Sequence, residues 1–282
     1  MKSLNKVLLI ATIFLSLVFN SIIAFSQKSD SIKTQYDHWD RFSVSFGGFL
    51  ANYNSGITYA SQQLGIGVII DIEDALGLES TQIAFRGNAI YQFGKKRNHS
   101  ASFGYFGIIR KSNKILTEEL ELGDEIFPIG TEINSSFELT ILRAKYDYAF
   151  FQDDRVSLGA SFGLFVMPVN LRVKAISSQE SITQFTAPLP LLGLRSDFKI
   201  TEKLYLNQSV ELLYLSIGDF TGSLLDLNVA LEHKTFNHVA FGIGVNSNRL
   251  NINIRNPDSS VDFFGDIRMD YTGLLFYGKY YL

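Results

Sequence analysis

The residues Gly159, Ser161 and Gly163 spell G-x-S-x-G, the pattern that surrounds the nucleophilic serine of many hydrolases. That chemistry needs a sharp strand-to-helix turn that exposes the serine hydroxyl. Here Ser157 joins the three residues on one face of an uninterrupted alternating segment, which predicts a strand. We therefore interpret them as small side chains where the interior of the fold is narrow.

The four histidines give little support for acid–base catalysis. His38 precedes the first predicted strand, and His99, His233 and His238 lie in or near short turns. A Ser-His or Asp-His centre needs its base within hydrogen-bond reach of the reacting group. An all-carboxylate or metal centre stays open, but the sequence favours a protein that is not an enzyme, and we expect no catalytic residue, metal or cofactor.

Charged side chains recur on one face of several alternating segments, with both signs mixed along each segment. One interpretation is an interior of paired and hydrated charges, and the other is a selectivity lining for a small solute. The predicted inward-facing charges are Arg86, Arg143, Lys145, Asp147, Arg195, Asp197, Lys199, Glu211, Asp226, Glu232, Asp266, Arg268 and Asp270.

An acidic connection spans residues 112–135, where Lys114 is the only cation. Its spacing lacks the D-x-D-x-D-G pattern of a defined calcium loop. Two interpretations of these acidic residues therefore stay open: they are simply solvated, or they bind divalent cations. We expect this connection to form an acidic external loop that includes Glu118, Glu119, Glu121, Asp124 and Glu125.

Period-two alternation predicts that strands position these side chains. Polar turns at 94–98, 152–154, 201–203 and 235–238 alternate with longer connections, and ten strands lie between them. This predicts an all-β, up-and-down antiparallel transmembrane barrel rather than a secreted sandwich, with eight to twelve strands allowed and a further hairpin or an inward fold near 65–72. The predicted strands are 41–52, 81–93, 101–111, 137–150, 156–174, 188–200, 204–215, 223–234, 239–255 and 263–282.

The segment that begins at Val156 changes phase partway. Apolar residues at 156, 158, 160, 162, 164 and 166 give way to apolar residues at 169, 171 and 173, with Met167 and Pro168 at the break. An extra residue reverses the facing of a strand, and proline cannot donate to the ladder. This predicts a β-bulge at Met167 and Pro168, with Arg172 and Lys174 facing inward.

The first residues indicate where the protein is located, and the composition limits the kinds of partner that it can bind. Lys2 and Lys6 precede an apolar run over 7–19 and a small polar stretch, which predicts a secretory signal over 1–26 and a short periplasmic segment over 27–40 before the barrel at 41–282. No cysteine is present, so no disulfide forms. With 25 basic against 28 acidic residues, nucleic acid is not an expected partner.

Two motifs carry a resemblance to a known group of proteins. The stretch I-D-I-E-D-A-L-G-L at 70–78 precedes a predicted strand, and the basic turn G-K-K-R-N-H occupies 94–99. With the export signal and the terminal aromatic strand, the chain resembles a family of small Gram-negative outer-membrane β-barrel proteins. The resemblance implies Sec-type export and the outer membrane, but no activity.

The resemblance also implies partners. We expect outer-membrane lipid, lipopolysaccharide and the barrel-insertion machinery, whereas the sequence identifies no ligand. The expected function is a structural or surface-interaction role, or a porin-like narrow solute channel. The alternative is an outer-membrane enzyme that acts on lipid or peptide at the external rim.

Overall fold

The computed structural model describes residues 40–59, 68–122, 125–175, 180–254 and 265–282. The predicted signal peptide, the segment at 27–39 and His38 lie outside these residues. None of the helices in the described part is long and apolar enough to cross a membrane.

Ten long antiparallel strands form one sheet in which each strand pairs with its neighbours along the chain, and the last strand pairs with the first. This is the closed transmembrane barrel that the alternation predicts. Its strands are β1 (Phe42–Tyr59), β3 (Thr81–Phe93), β4 (His99–Ile115), β7 (Glu132–Gln152), β8 (Val156–Ala175), β9 (Glu180–Lys199), β10 (Leu204–Ile217), β11 (Phe220–Lys234), β12 (Val239–Ile254) and β13 (Gly265–Tyr281).

The register fixes the dimensions of the barrel. A path of paired residues that starts at Phe42 returns to β1 at Asn54, twelve residues further along, after Tyr91, Ala101, Tyr146, Phe162, Leu192, Leu212, Leu225, Arg249 and Asp270. Ten strands with this offset give a tilt of about 40° and a backbone radius of about 10 Å. Long side chains from separate strands therefore meet inside the lumen.

The two ends of the barrel differ. At the short-turn end, the connections at 94–98, 153–155, 200–203 and 235–238 join strand pairs directly. At the long-connection end lie the short strand β2 (Val68–Asp71), the helix α1 (Ile72–Leu76) and the hairpin of β5 (Leu120–Leu122) and β6 (Glu125–Phe127). β2 pairs with the upper part of β1, and α1 turns inward with Ile72 and Leu76 buried. Residues 65–67 of the predicted range lie outside the described residues. In the rest, both alternatives occur in part, because β2 pairs with β1 and the helix that follows turns inward.

The outer wall changes character along the strands. Near the short turns it is apolar, and exposed side chains there include Phe46, Phe85, Phe103, Phe162, Leu192, Phe241, Ile243, Leu274 and Phe276. Toward the long-connection end it is polar, with exposed Lys111, Arg172, Lys174, Asn251, Asp266 and Arg268. Because lipid-facing wall must be apolar over about 25 Å, the half of the barrel beside the short turns has the membrane-spanning surface.

The inner wall has the opposite gradient. Most of its charges lie near the short turns, and the half toward the long connections is mainly a dry apolar cluster that includes Phe137, Leu139, Met167, Val169, Leu171, Leu189, Leu250 and Ile267. The exceptions on β4 are Arg110 and Lys114, which bind the helix α1. A strand that leaves the membrane therefore changes polarity on both faces at once.

This double gradient corrects the predicted bulge in β8. The pairing of β8 with β9 runs without a shift from Val156 to Lys174, so Val169 and Leu171 face inward and Arg172 and Lys174 face outward. Pro168 faces outward within a regular strand. The phase change reflects a change of surroundings and not an inserted residue. The irregularity that does occur lies in β7, between Ala149 and Phe151.

Candidate functional site

The charged lumen beside the short turns is the part of the barrel with the most chemistry. Ten of the thirteen predicted residues lie on its wall: Arg86, Arg143, Lys145, Asp147, Arg195, Asp197, Lys199, Glu211, Asp226 and Glu232. The prediction is wrong for Asp266, Arg268 and Asp270, which lie on the outer face of β13. There Asp270 pairs with Arg249 at 3.2 Å and with Arg268 at 3.0 Å. These charges face outward because this part of the outer wall lies beyond the apolar surface.

Glu211 on β10 is the centre of one ion-pair group. Its two carboxylate oxygens accept from Arg143 Nη1 at 3.0 Å and from Lys145 Nζ at 2.6 Å, both on β7. The glutamate side chain is only 2% exposed. β8 and β9 lie between these partners in the sheet, so the pairs cross the lumen and hold two separated parts of the wall together.

Glycines make room for these crossings. A Cβ on Gly163 would lie 2.8 Å from Cγ of Lys145, and one on Gly193 would lie 3.2 Å from Cγ of Glu211. A Cβ on Gly159 would lie 3.0 Å from Nε of Arg195. The G-x-S-x-G pattern thus supplies open wall over which charged side chains lie.

Arg195 is the centre of a second group, closer to the short turns. Its guanidinium pairs with Asp197 on the same strand, reaches Asp147 Oδ1 on β7 at 3.7 Å and donates to Ser157 Oγ at 3.2 Å. The contact with Asp147 passes over β8, as the contacts of Glu211 do. Lys199, at the end of β9, pairs with Glu202 at 2.8 Å.

Glu232 on β11 forms a third group that the sequence analysis missed. It accepts from Tyr277 Oη at 3.1 Å, from Lys279 Nζ at 3.3 Å and from the hydroxyl of Tyr281. The three partners are alternate inward residues of β13, and this period-two spacing is the sequence signal that places them on one wall of the lumen. Gly242 on the intervening β12 opens the way, because a Cβ there would lie 2.2 Å from Cζ of Tyr277.

Asp226 is held by amides rather than by cations. Asn246 Nδ2 and Asn248 Nδ2 each donate to one of its oxygens at 3.0 Å. Nearer the short turns, Lys234 pairs with Asp40 at 3.1 Å. Each carboxylate of the inner wall named above therefore has a hydrogen-bond donor or, for Asp147, a cation within ion-pair distance.

Water reaches this part of the lumen, and an aromatic layer ends it. The side chains of Arg143, Lys145, Arg195 and Lys279 are 14–19% exposed. Above them Phe49, Phe106 and Tyr271 form an aromatic seal, with each ring at most 4% exposed and ring centroids 5.6–6.1 Å apart. Together with the apolar cluster on the other strands, these rings separate the charged lumen from the long-connection end within the described residues.

The helix α1 closes the barrel above the seal. Arg110 Nη1 donates to Glu73 Oε1 at 2.5 Å, and Ser55 N donates to Glu73 Oε2 at 2.8 Å. Ser112 Oγ donates to the carbonyl of Leu76 at 2.5 Å, and Lys114 Nζ donates to that of Asp74. Three successive inward residues of β4 therefore fix one short helix. No local pattern in the sequence links Glu73 with Arg110, because the two residues lie 37 positions apart.

The acidic connection folds back over the same end. Leu116, Leu120 and Phe127 are buried, while Glu118 and Glu119 are exposed. Glu125 begins β6 and is half-buried, whereas Asp124 and the side chain of Glu121 lie outside the described residues. The loop therefore has an apolar underside, and its exposed side carries Glu118 and Glu119 together with Ile126 and Ile129. In the described ranges no three His, Asp or Glu side chains come together as a metal site needs.

The described histidines lie at the short-turn end. His99 Nδ1 is 2.6 Å from Tyr146 Oη, and its ring lies 5.6 Å from that of Phe93 and 5.1 Å from that of Tyr148. Such outward aromatic groups are typical of a girdle at the membrane interface. His238 Nδ1 is 3.1 Å from the carbonyl oxygen of Tyr281.

No protein-family model and no curated protein sequence matches the chain. Among solved structures, the chain is similar to the outer membrane protease OmpT from Escherichia coli, with 7% identity, 90% of this chain and 100% of that chain covered, and a TM-score of 0.57.

Other similar structures are Ail of Yersinia pestis and the toluene transporter TodX of Pseudomonas putida. Ail has 10% identity, 84% of this chain and 99% of that chain covered, and a TM-score of 0.36. TodX has 7% identity, 86% of this chain and 90% of that chain covered, and a TM-score of 0.35. Both TM-scores are too low to add to the assignment. At these identities the similarity shows the fold alone, and that fold is the Gram-negative outer-membrane β-barrel.

Proposed function

We propose that this protein is an outer-membrane barrel that acts as a closed scaffold and presents its long-connection end to the outside of the cell. In this orientation the short turns face the periplasm, as short turns do in bacterial barrels. The membrane-facing half anchors the protein, and the other half projects beyond the lipid.

The observation that carries the proposal is the sealed interior. The aromatic seal, the apolar cluster around Phe165 and Leu139, and the buried residues of α1 lie in succession along the lumen, each nearly inaccessible to water. An ion in transit would need to cross this apolar path without hydration, at a cost of several kcal/mol or more. This favours the scaffold over the porin-like solute channel.

The projecting half supports a surface role. Its outer wall carries many polar and charged side chains, and the exposed Glu118 and Glu119 lie directly before the β5–β6 hairpin. A rigid wall that carries ordered loops suits the recognition of other molecules. The partners proposed with this role are outer-membrane lipid, lipopolysaccharide at the outer leaflet and, during assembly, the barrel-insertion machinery after Sec-type export.

Single-cysteine labelling in intact cells tests the proposal, because the natural chain has no cysteine. Ser209→Cys places a thiol on the lumen wall below the aromatic seal, and Asn251→Cys places one on the exposed outer wall near the long connections. A membrane-impermeant maleimide added outside should label Asn251→Cys and spare Ser209→Cys. After the outer membrane is permeabilised, Ser209→Cys should be labelled as well.

Labelling of Ser209→Cys from outside in intact cells would contradict the sealed lumen. In parallel, the purified protein in planar bilayers should give no steady conductance, with insertion verified by resistance to added protease. Steady single-channel currents from the folded protein would favour the solute channel instead.

A further inference from the structure

Arg86 stands apart from the other cations of the lumen. In the described ranges it faces inward from β3, is half-buried, and has no hydrogen bond or ion pair, whereas Arg143, Lys145, Arg195, Lys199 and Lys279 are each paired. Its register partners are Gly47 on β1 and Phe106 on β4. The guanidinium therefore leaves the wall directly at the aromatic seal.

The surroundings of Arg86 come from four other strands. It lies within electrostatic range of Arg143 on β7, Glu211 on β10, Asp226 on β11 and Tyr271 on β13. A side chain with such neighbours extends into the lumen rather than along the wall. Both carboxylates are already bound, Glu211 by two cations and Asp226 by two asparagine amides.

The charges in this part of the lumen balance as a set. Four cations, Arg86, Arg143, Lys145 and Arg195, face four carboxylates, Asp147, Asp197, Glu211 and Asp226. These carboxylates contact other side chains, so in the described ranges the donors of Arg86 have no acceptor. Inside a narrow lumen with apolar walls such a charge attracts a counter-ion more strongly than it would on an open surface.

The position is also accessible. Water reaches Lys145, Arg195 and Lys279 along the lumen from the short-turn end, whereas Phe49 and Tyr271 close the other side. A small ion that enters beside the short turns therefore meets Arg86 at the closed end of its path. Within the described residues, the apolar cluster above the seal separates this site from the long-connection end.

We propose that Arg86 forms the floor of a binding site for one small monovalent anion, such as chloride or formate. The guanidinium donates directly to the anion, and its single positive charge matches a single negative charge. This site is separate from the scaffold role and does not depend on it.

Chloride binding to the protein in detergent micelles tests the proposal. The line width of the ³⁵Cl resonance should increase on addition of the wild-type protein, and bromide should reverse the increase by competition. Arg86→Gln should weaken chloride binding about tenfold or more, because a hydrogen bond to a charged group is lost. Arg249→Gln removes an exposed arginine from the outer wall and should leave the line width at the wild-type value.

Diffraction gives a second measurement that does not depend on folding of the variants. Wild-type crystals soaked in sodium bromide should show an anomalous peak within hydrogen-bond distance of the Arg86 guanidinium. Absence of a peak there, or equal line broadening by the wild-type protein and a folded Arg86→Gln variant, would overturn the proposal. Arg86→Lys should keep part of the binding, because it retains the charge and loses the planar set of donors.

Discussion

At the scale of single residues, the interior is organised by long side chains that cross one or two strands to reach a partner. Lys145 and Glu211 do so across β8 and β9, and Tyr277 reaches Glu232 across β12. Each crossing needs open wall, and glycine supplies it. The charges and glycines of the inner wall therefore form one arrangement, in which replacing either kind of residue disturbs the other.

Glu211→Gln should destabilise the barrel by about 3 kcal/mol or more, because two partly buried cations lose their shared carboxylate. Urea unfolding in lipid vesicles measures the change. Asp270→Asn is the matched control, because it removes an acid with two arginine partners from the exposed outer wall, where such pairs contribute about 1 kcal/mol or less. Equal losses of unfolding free energy in the two variants would show that the ion pairs across the lumen do not stabilise the barrel more than surface pairs do.

Gly242→Ala should destabilise by about 1–3 kcal/mol, because the new methyl group occupies the position of the Tyr277 ring and displaces its hydroxyl from Glu232. Gly278→Ala is the control on the same pair of strands, since its nearest neighbour, Cε1 of Phe241, would lie at an ordinary 3.9 Å. The urea midpoint of unfolding is measured for both variants. A Gly242→Ala midpoint equal to that of the wild-type protein would contradict the close contact between Gly242 and Tyr277.

At the scale of elements, each strand carries two patterns joined end to end. Near the short turns it is mostly apolar outside and polar inside, and toward the long connections it is more polar outside and mostly apolar inside. The clearest exception is β4, whose inward Arg110 and Lys114 bind α1. The helix α1 belongs to the second pattern, because it completes the dry interior with Ile72 and Leu76. Strand facing and helix docking can therefore be tested separately.

Leu227→Arg should impair membrane insertion more than Asn228→Arg, which changes the next residue of the chain. Leu227 lies on the outer wall of β11 among apolar residues, and a cation at the lipid midplane costs roughly 2–4 kcal/mol. Asn228 lies on the lumen side, two residues from Asp226. Folding yields into lipid vesicles measure the difference, and equal yields would mean that the facing of β11 is wrong.

Arg110→Ala should release α1 while leaving the barrel folded. The arginine binds Glu73 and Ser55 and also lies 4.7 Å from the centre of the Phe137 ring. Hydrogen exchange should become faster at residues 72–77 and stay unchanged in β8 and β9. Lys111→Ala, which changes the next, outward residue, should leave exchange in α1 as it is; unchanged exchange in Arg110→Ala would show that the ion pair does not hold the helix.

At the scale of the whole molecule, closure of the sheet explains why the interior can be both charged and dry. The pairing of β13 with β1 closes the barrel on the short-turn side, and the offset of twelve residues sets a lumen that side chains fill. Toward the long-connection end the sheet is less complete, because β9 pairs with β10 only over Leu192–Lys199. Within the described residues, the seal separates the charged part of the lumen from this end.

Protease added to intact cells should cut the acidic loop and spare the basic turn. A glutamate-specific protease meets the exposed Glu118 and Glu119, although the buried Leu116, Leu120 and Phe127 should make the cut slow. Trypsin should not reach Lys95 and Lys96, because short turns face the periplasm. Cutting at the turn while the outer membrane is intact would invert the orientation and place the polar half of the barrel inside the cell envelope.

The sequence by itself determined the class of fold, the number of strands and the facing of most lumen charges, because alternation reports directly which side of a strand is in lipid. Arg143, Lys145 and Glu211 follow from this rule. It fails for Val169 and Arg172, and for Asp266, Arg268 and Asp270, because it assumes one environment along the whole strand. Only the tertiary structure shows that the strands leave the membrane, where the outer wall becomes wet and the inner wall becomes dry.

The tertiary structure also decided which charges meet. The partners of Glu211 lie 66 and 68 residues away in the chain, and those of Glu232 lie 45 to 49 residues away. Such pairings depend on the offset at which the barrel closes, since a shift of the register moves every facing residue. Alternation predicts which face of the strand a residue lies on, but not its height in the barrel. The closed sheet is therefore needed to recognise the aromatic seal, the attachment of α1 and the unpaired Arg86.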